Sequence, residues 1–145
     1  MLAQLETMIS EYVELAAELR RKVPALGAIM GNHSDVTHPG HRAFYDAVCC
    51  WVSDFSGGNP SQEDLLRALE LLLLSAQKYE KTAACWYLIA IQDHGKQLIP
   101  MLEESGRELL RQRYETAYPR GKRLPVQKEI GRMLGDQKRK LFRFL

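Results

Sequence analysis

Apolar residues recur along this chain at three- and four-residue steps, and nowhere do they alternate with polar ones over a strand's length. A side chain returns to the same face of an α-helix about every 3.6 residues, but to the same face of a strand every second residue, so this spacing commits the chain to helices. In the opening stretch Leu5, Met8, Ile9, Tyr12, Val13, Leu15, Ala16 and Leu19 form a dry side, and Glu6, Glu11, Glu14 and Glu18 an acidic one. Pro24 ends that helix or opens a short one, and Gly31 to Asp35 reads as a loop.

A second helix is predicted from about Pro39 to Phe55. Phe44, Val48, Trp51, Val52 and Phe55 line one side of it, Tyr45 and Cys49 lie at the edge, and Thr37 or His38 is its cap. Ser56 to Pro60 is the clearest break. Asn59, followed by Pro60, Glu63 and Asp64, signals the start of a third helix reaching about Tyr79. Further breaks are expected near Tyr79–Thr82 and between Gly95 and Pro100, and a turn at Tyr118–Gly121 precedes a last helical region from Pro125. No internal repeat or low-complexity tract interrupts this pattern. The expected fold is all-α: a compact helical bundle of five to seven helices forming one domain over residues 1–145.

A chain of 145 residues buries roughly 68–70% of its unfolded surface, enough for a core without covalent staples. Its three cysteines, Cys49, Cys50 and Cys85, include no CxxC pair and are expected to be small buried hydrophobes in a reducing compartment. The acidic stretch Met1 to Glu18 does not resemble a secretion signal. The most apolar stretches, 69–76 and 82–91, fall short of the ~20 residues that cross a membrane. A cytoplasmic protein without a membrane span is the expectation.

Charge is divided unevenly. Residues 107–145 hold 12 Lys/Arg against 4 Asp/Glu, a net of +8, whereas residues 1–106 hold 8 against 14, a net of −6. The basic C-terminal segment 107–145 is therefore where an acidic partner, protein or nucleic acid, is expected to bind. Two places concentrate the cations. In the turn from Tyr118 to Pro125, two prolines and a glycine hold Arg120, Lys122 and Arg123 in a segment read as exposed. The ending adds Lys138, Arg139, Lys140 and Arg143, with Phe142, Phe144 and Leu145 as an apolar side worth burying. Docking of this ending on the acidic N-terminal face, of the same chain or of a homodimer partner, is a structural alternative.

The segment Gln127-Lys128-Glu129-Ile130-Gly131-Arg132-Met133-Leu134-Gly135 resembles the first helix and turn of a DNA-binding helix-turn-helix. In that motif a small residue stands four before a turn glycine, as Gly131 stands before Gly135, and Ile130, Leu134, Leu141 and Phe144 fall at its buried positions. The resemblance implies a second helix carrying Lys138, Arg139, Lys140 and Arg143 to phosphates. It covers about 20 residues. Asp136 departs from it at a position the motif fills with an apolar residue, and Gln137 is the one polar base reader in the implied second helix.

Chemistry has few handles. There is no GxSxG, GxGxxG or Walker loop, and no HExxH, so no catalytic residue is assigned and no cofactor is expected. Three histidines fall within nine residues, His33, His38 and His41, and His94 lies beside Asp93. Imidazole binds transition metals, and bundles gather ligands from facing helices. A helical bundle that holds a divalent transition metal or small ligand on His33, His38, His41 and His94 is thus the alternative. The first expectation is a small non-enzymatic binding or regulatory protein.

Overall fold

The computed structural model describes residues 1–22, 38–79 and 85–135. These residues build helices α1 (Leu2–Lys22), α2 (Pro39–Gly57), α3 (Gln62–Lys78), α4 (Cys85–Gly95), α5 (Glu104–Ala117) and α6 (Pro125–Met133). Two 3-10 segments, Lys96–Met101 and Arg120–Lys122, lead into α5 and α6. No strand occurs among the described residues, and the chain is an all-α bundle.

The periodicity maps directly onto burial. On α1, Leu5, Ile9, Tyr12, Ala16 and Leu19 are buried, with Met8 and Val13 packed at the margin. On α2 the buried side is Phe44, Val48, Trp51, Val52 and Phe55, extended one turn earlier by His41. The Trp51 indole donates to the Met1 carbonyl at 2.9 Å, tying α2 to the start of α1. Cys49 and Cys50 are exposed, contrary to expectation. They follow Val48 by one and two residues, which turns their side chains away from the stripe. Cys85 has no described side chain.

Helix α3 is the centre of the bundle. It packs on α1, α4, α5 and the 3-10 segment at Lys96–Met101, through Leu65, Leu69, Leu72 and Leu73. Each of these leucines is almost wholly buried, a stabilisation of about 2 kcal/mol apiece relative to exposure. α2 packs on α1 and α4, and α6 on α4, α5 and the same 3-10 segment. One continuous core runs from Leu5 to Leu134.

Two breaks have instructive causes. Ser61, not Asn59, caps α3, its hydroxyl accepting from the Asp64 amide at 3.1 Å. Asn59 instead takes the left-handed conformation at φ 52°, which its short side chain tolerates, and so reverses the chain ahead of Pro60. Between Gly95 and Pro100 the chain tightens from α to 3-10 geometry. A Cβ on Gly95 would lie 2.8 Å from the Leu72 Cβ, so a side chain there is incompatible with this approach of α4 to α3. Gln62 fastens the end of the 3-10 segment, donating to the Met101 carbonyl at 3.0 Å and accepting from the Glu103 amide at 2.8 Å. The expected loop at Gly31–Asp35, the break at Pro24 and the residues 80–82 lie outside the described residues.

Candidate partner-binding surface

Helix α6 begins at Pro125, whose fixed φ suits a first turn, and the Gln127 side chain accepts from the Leu124 amide at 2.9 Å to cap it. Gln127, Ile130, Gly131 and Leu134 are buried, so Lys128 and Arg132, one turn apart, emerge on the outward side. Lys122, in the turn ahead of α6, is also exposed, and Leu124 between them is 46% exposed.

The acids of this region are paired within the chain. Lys96 Nζ lies 2.9 Å from Glu129 and 2.9 Å from Asp93, and these hydrogen bonds, to Asp93 first, hold its ammonium above the usual lysine range. Arg111 is almost fully buried and pairs with Glu108 and, at 2.8 Å, with Glu115. Its hydrogen bonds to Glu108 raise its pKa further and outweigh the cost of burial. Glu115 also receives Arg120 at 2.8 Å. Arg113 pairs with Glu70 of α3. Glu108, Glu115 and Glu129 are therefore all engaged within the fold. Lys122, Lys128 and Arg132 form no ion pair among the described residues.

The structure divides the predicted turn. Lys122 is exposed as expected, whereas Arg120 is held by Glu115. Arg123, expected to be exposed, is buried: its Nε donates to the Tyr118 carbonyl at 2.8 Å, and its guanidinium carbon lies 5.5 Å from the centre of the Tyr114 ring. A planar cation above an aromatic face can be buried where an ammonium would demand water. Tyr114 in turn donates to Gln92 at 2.6 Å, and burial pushes its phenol well above the ordinary range. The Arg123–Tyr114–Gln92 chain joins the α6 lead-in to α5 and α4. Lys128 and Arg132 were not among the predicted contact residues, although their i, i+4 spacing opposite Ile130 and Leu134 already placed them on one outward face.

Within the segment that resembles a helix-turn-helix, α6 ends at Met133, Gly131 is buried, and Gly135 adopts φ +109°, a conformation that favours glycine. Lys138, Arg139, Lys140 and Arg143 lie outside the described residues.

The described histidines are each taken up by the fold, although the His38 and His41 rings lie 6.3 Å apart. His38 Nδ1 accepts from the Gly40 amide at 3.0 Å and so caps α2. His41 is buried, with Nδ1 2.9 Å from the Tyr12 hydroxyl and its ring stacked on Tyr87 at 4.6 Å. His94 is buried beside Tyr45, ring centres 4.5 Å apart, and burial lowers its pKa despite Asp93 and Asp46 nearby. No group of three His, Cys, Asp or Glu side chains among the described residues could hold a metal ion. His38 and His41 each commit a ring nitrogen to a structural contact, and His33 lies outside the described residues. Among the described residues no helix is long and apolar enough to cross a membrane.

Comparison with protein-family models, curated proteins and solved structures gives no match for this chain.

Proposed function

We propose that this protein is a non-enzymatic binding module whose basic C-terminal region engages an acidic partner through the outward side of α6 and its lead-in. The observation that carries the reading is the sorting of charge. Every acid from residue 107 to 135 is paired inside the fold, while Lys122, Lys128 and Arg132 stand exposed without an ion pair among the described residues. Cations left uncompensated on a rigid helix attract a polyanion at little ordering cost. The contacts that hold α6 in place, Lys96–Glu129 and the buried Arg123, supply that rigidity. Lys138, Arg139, Lys140 and Arg143 join the reading through their place in the same basic segment.

The test is fluorescence anisotropy with two probes of matched charge, a duplex DNA and a poly-glutamate peptide, across a salt series. If the three cations contact phosphates, replacing Lys122, Lys128 and Arg132 by alanine flattens the log–log salt slope on duplex by about 2.7. Preference for one probe names the partner class. If neither probe binds at low salt, or the triple variant binds as the unaltered protein does, the reading is wrong.

A further inference from the structure

The fold keeps two rows of opposite charge apart. On α1, Glu11 and Glu14 are exposed and form no ion pair among the described residues. Glu6, on the same helix, is paired with Arg67 of α3 at 3.6 Å. On α6, Lys128 and Arg132 form the basic row, with Lys122 ahead of it. Both rows repeat at three- or four-residue steps, so each presents charges about 5–6 Å apart along a helix.

α1 packs on α2 and α3, and α6 on α4, α5 and the 3-10 segment, so the two helices are not a packed pair. The acidic row and the basic row are therefore not neutralised against each other within the described chain. Each is the charge complement of the other at matched spacing.

We propose that the α6 row docks on the α1 row of a second copy of this chain. The inference rests on the reading of α6 as a partner-binding face and names the occupant of that face. Each contact joins the α6 row of one copy to the α1 row of another, so copies pair reciprocally about a two-fold axis or join head to tail into a ring or an open row. The pairs stay near solvent, so association belongs to low salt and high protein concentration.

Sedimentation velocity of the full chain, with no other polymer present, tests this. The expected result is concentration-dependent association at about 20 mM salt that disappears at about 0.5 M. Glu11→Lys with Glu14→Lys leaves the chain monomeric, and so does Lys128→Glu with Arg132→Glu. The chain carrying all four reversals associates again. A control pair on other surfaces, Asp54→Lys with Glu63→Lys, changes net charge as much as the α1 pair and leaves association intact. Thermal melts of each variant show whether it is folded. A monomeric wild type at low salt, association surviving either row's reversal, loss of association in the control, or a monomeric fourfold variant overturns the proposal. The α1 pair must also leave polyanion binding unweakened. A monomeric wild type that still binds DNA or poly-glutamate refutes self-docking and leaves the α6 reading standing.

Discussion

Lys96 Nζ stands 2.9 Å from the Glu129 carboxylate, so the acid of α6 is paired while its exposed cations Lys128 and Arg132 are not, among the described residues. Glu129 is the acid of α6, and the bridge draws it back onto the 3-10 segment beside Asp93. Lys128 and Arg132, on its two flanks in sequence, are left facing outward. A basic surface here arises as much from where the acid goes as from how many cations the segment holds.

Lys96→Met is expected to cost about 0.5–1 kcal/mol, because both partners keep partial access to water. In a chain of this size that lowers Tm by about 2–4 °C. The Lys96 pKa is raised in the folded state, so the bridge contributes fully below the unfolded lysine value and fades as pH rises through the folded one. Melts followed by circular dichroism from neutral to strongly alkaline pH should show the wild-type advantage over Lys96→Met closing at the alkaline end. An advantage that persists unchanged there would refute this role for the ammonium.

Gly95→Ala is expected to destabilise by about 1–3 kcal/mol, since its Cβ would meet the Leu72 Cβ at 2.8 Å in a packed core. Gly57→Ala, where a Cβ meets nothing within 4 Å, is expected to be neutral or slightly stabilising. Urea denaturation of the two variants separates close packing from simple helix propensity. Equal effects would mean that the α3–α4 approach relaxes freely.

What the sequence revealed and what it hid follow one rule. Positions governed by helical repeat were legible: the stripes of α1 and α2, the all-α class, and the change of geometry between Gly95 and Pro100. Positions governed by a distant partner were not. Arg123 reads as a surface cation until Tyr114, nine residues earlier, offers its ring, and Arg120 reads as free until Glu115 receives it. His38 was legible as the cap of α2, whereas His41, one turn on, also reads as a ligand until Tyr12 of α1 meets its ring. Cys49 and Cys50 read as buried by residue type, yet helical phase puts Cys49 at the edge of the stripe and Cys50 beyond it, and both are exposed.

His94 gives the acid-side prediction. Burial lowers its folded pKa below the unfolded value near 6.5, so the unfolded chain takes up the proton first. Its contribution to stability is therefore lost as pH falls through about 6.5, and the loss levels off below the folded pKa. Comparing denaturation midpoints at pH 7.5 and 5.5 should show a larger fall for the wild type than for His94→Gln, the difference bounded by the uptake of one proton. Identical falls would show that His94 carries no share of the acid sensitivity.

Lys122 and Arg123 are neighbours with opposite assignments, and their variants should diverge in two independent measurements. Arg123→Ala removes the donor to the Tyr118 carbonyl and the cation above Tyr114, leaving a gap in a buried place. The expected cost is about 2–3 kcal/mol in urea denaturation. Arg123→Lys keeps the charge but not the planar fork, so it should recover less than half of that. Lys122→Ala should stay within about 0.5 kcal/mol of the wild type, because its side chain is exposed and makes no ion pair among the described residues. On duplex DNA the order reverses. Lys122→Ala flattens the salt slope by about 0.9 if it meets one phosphate, whereas folded Arg123→Ala keeps the wild-type slope. A slope that falls for Arg123→Ala and holds for Lys122→Ala would place the contact on the wrong neighbour and refute the division of labour drawn from the structure.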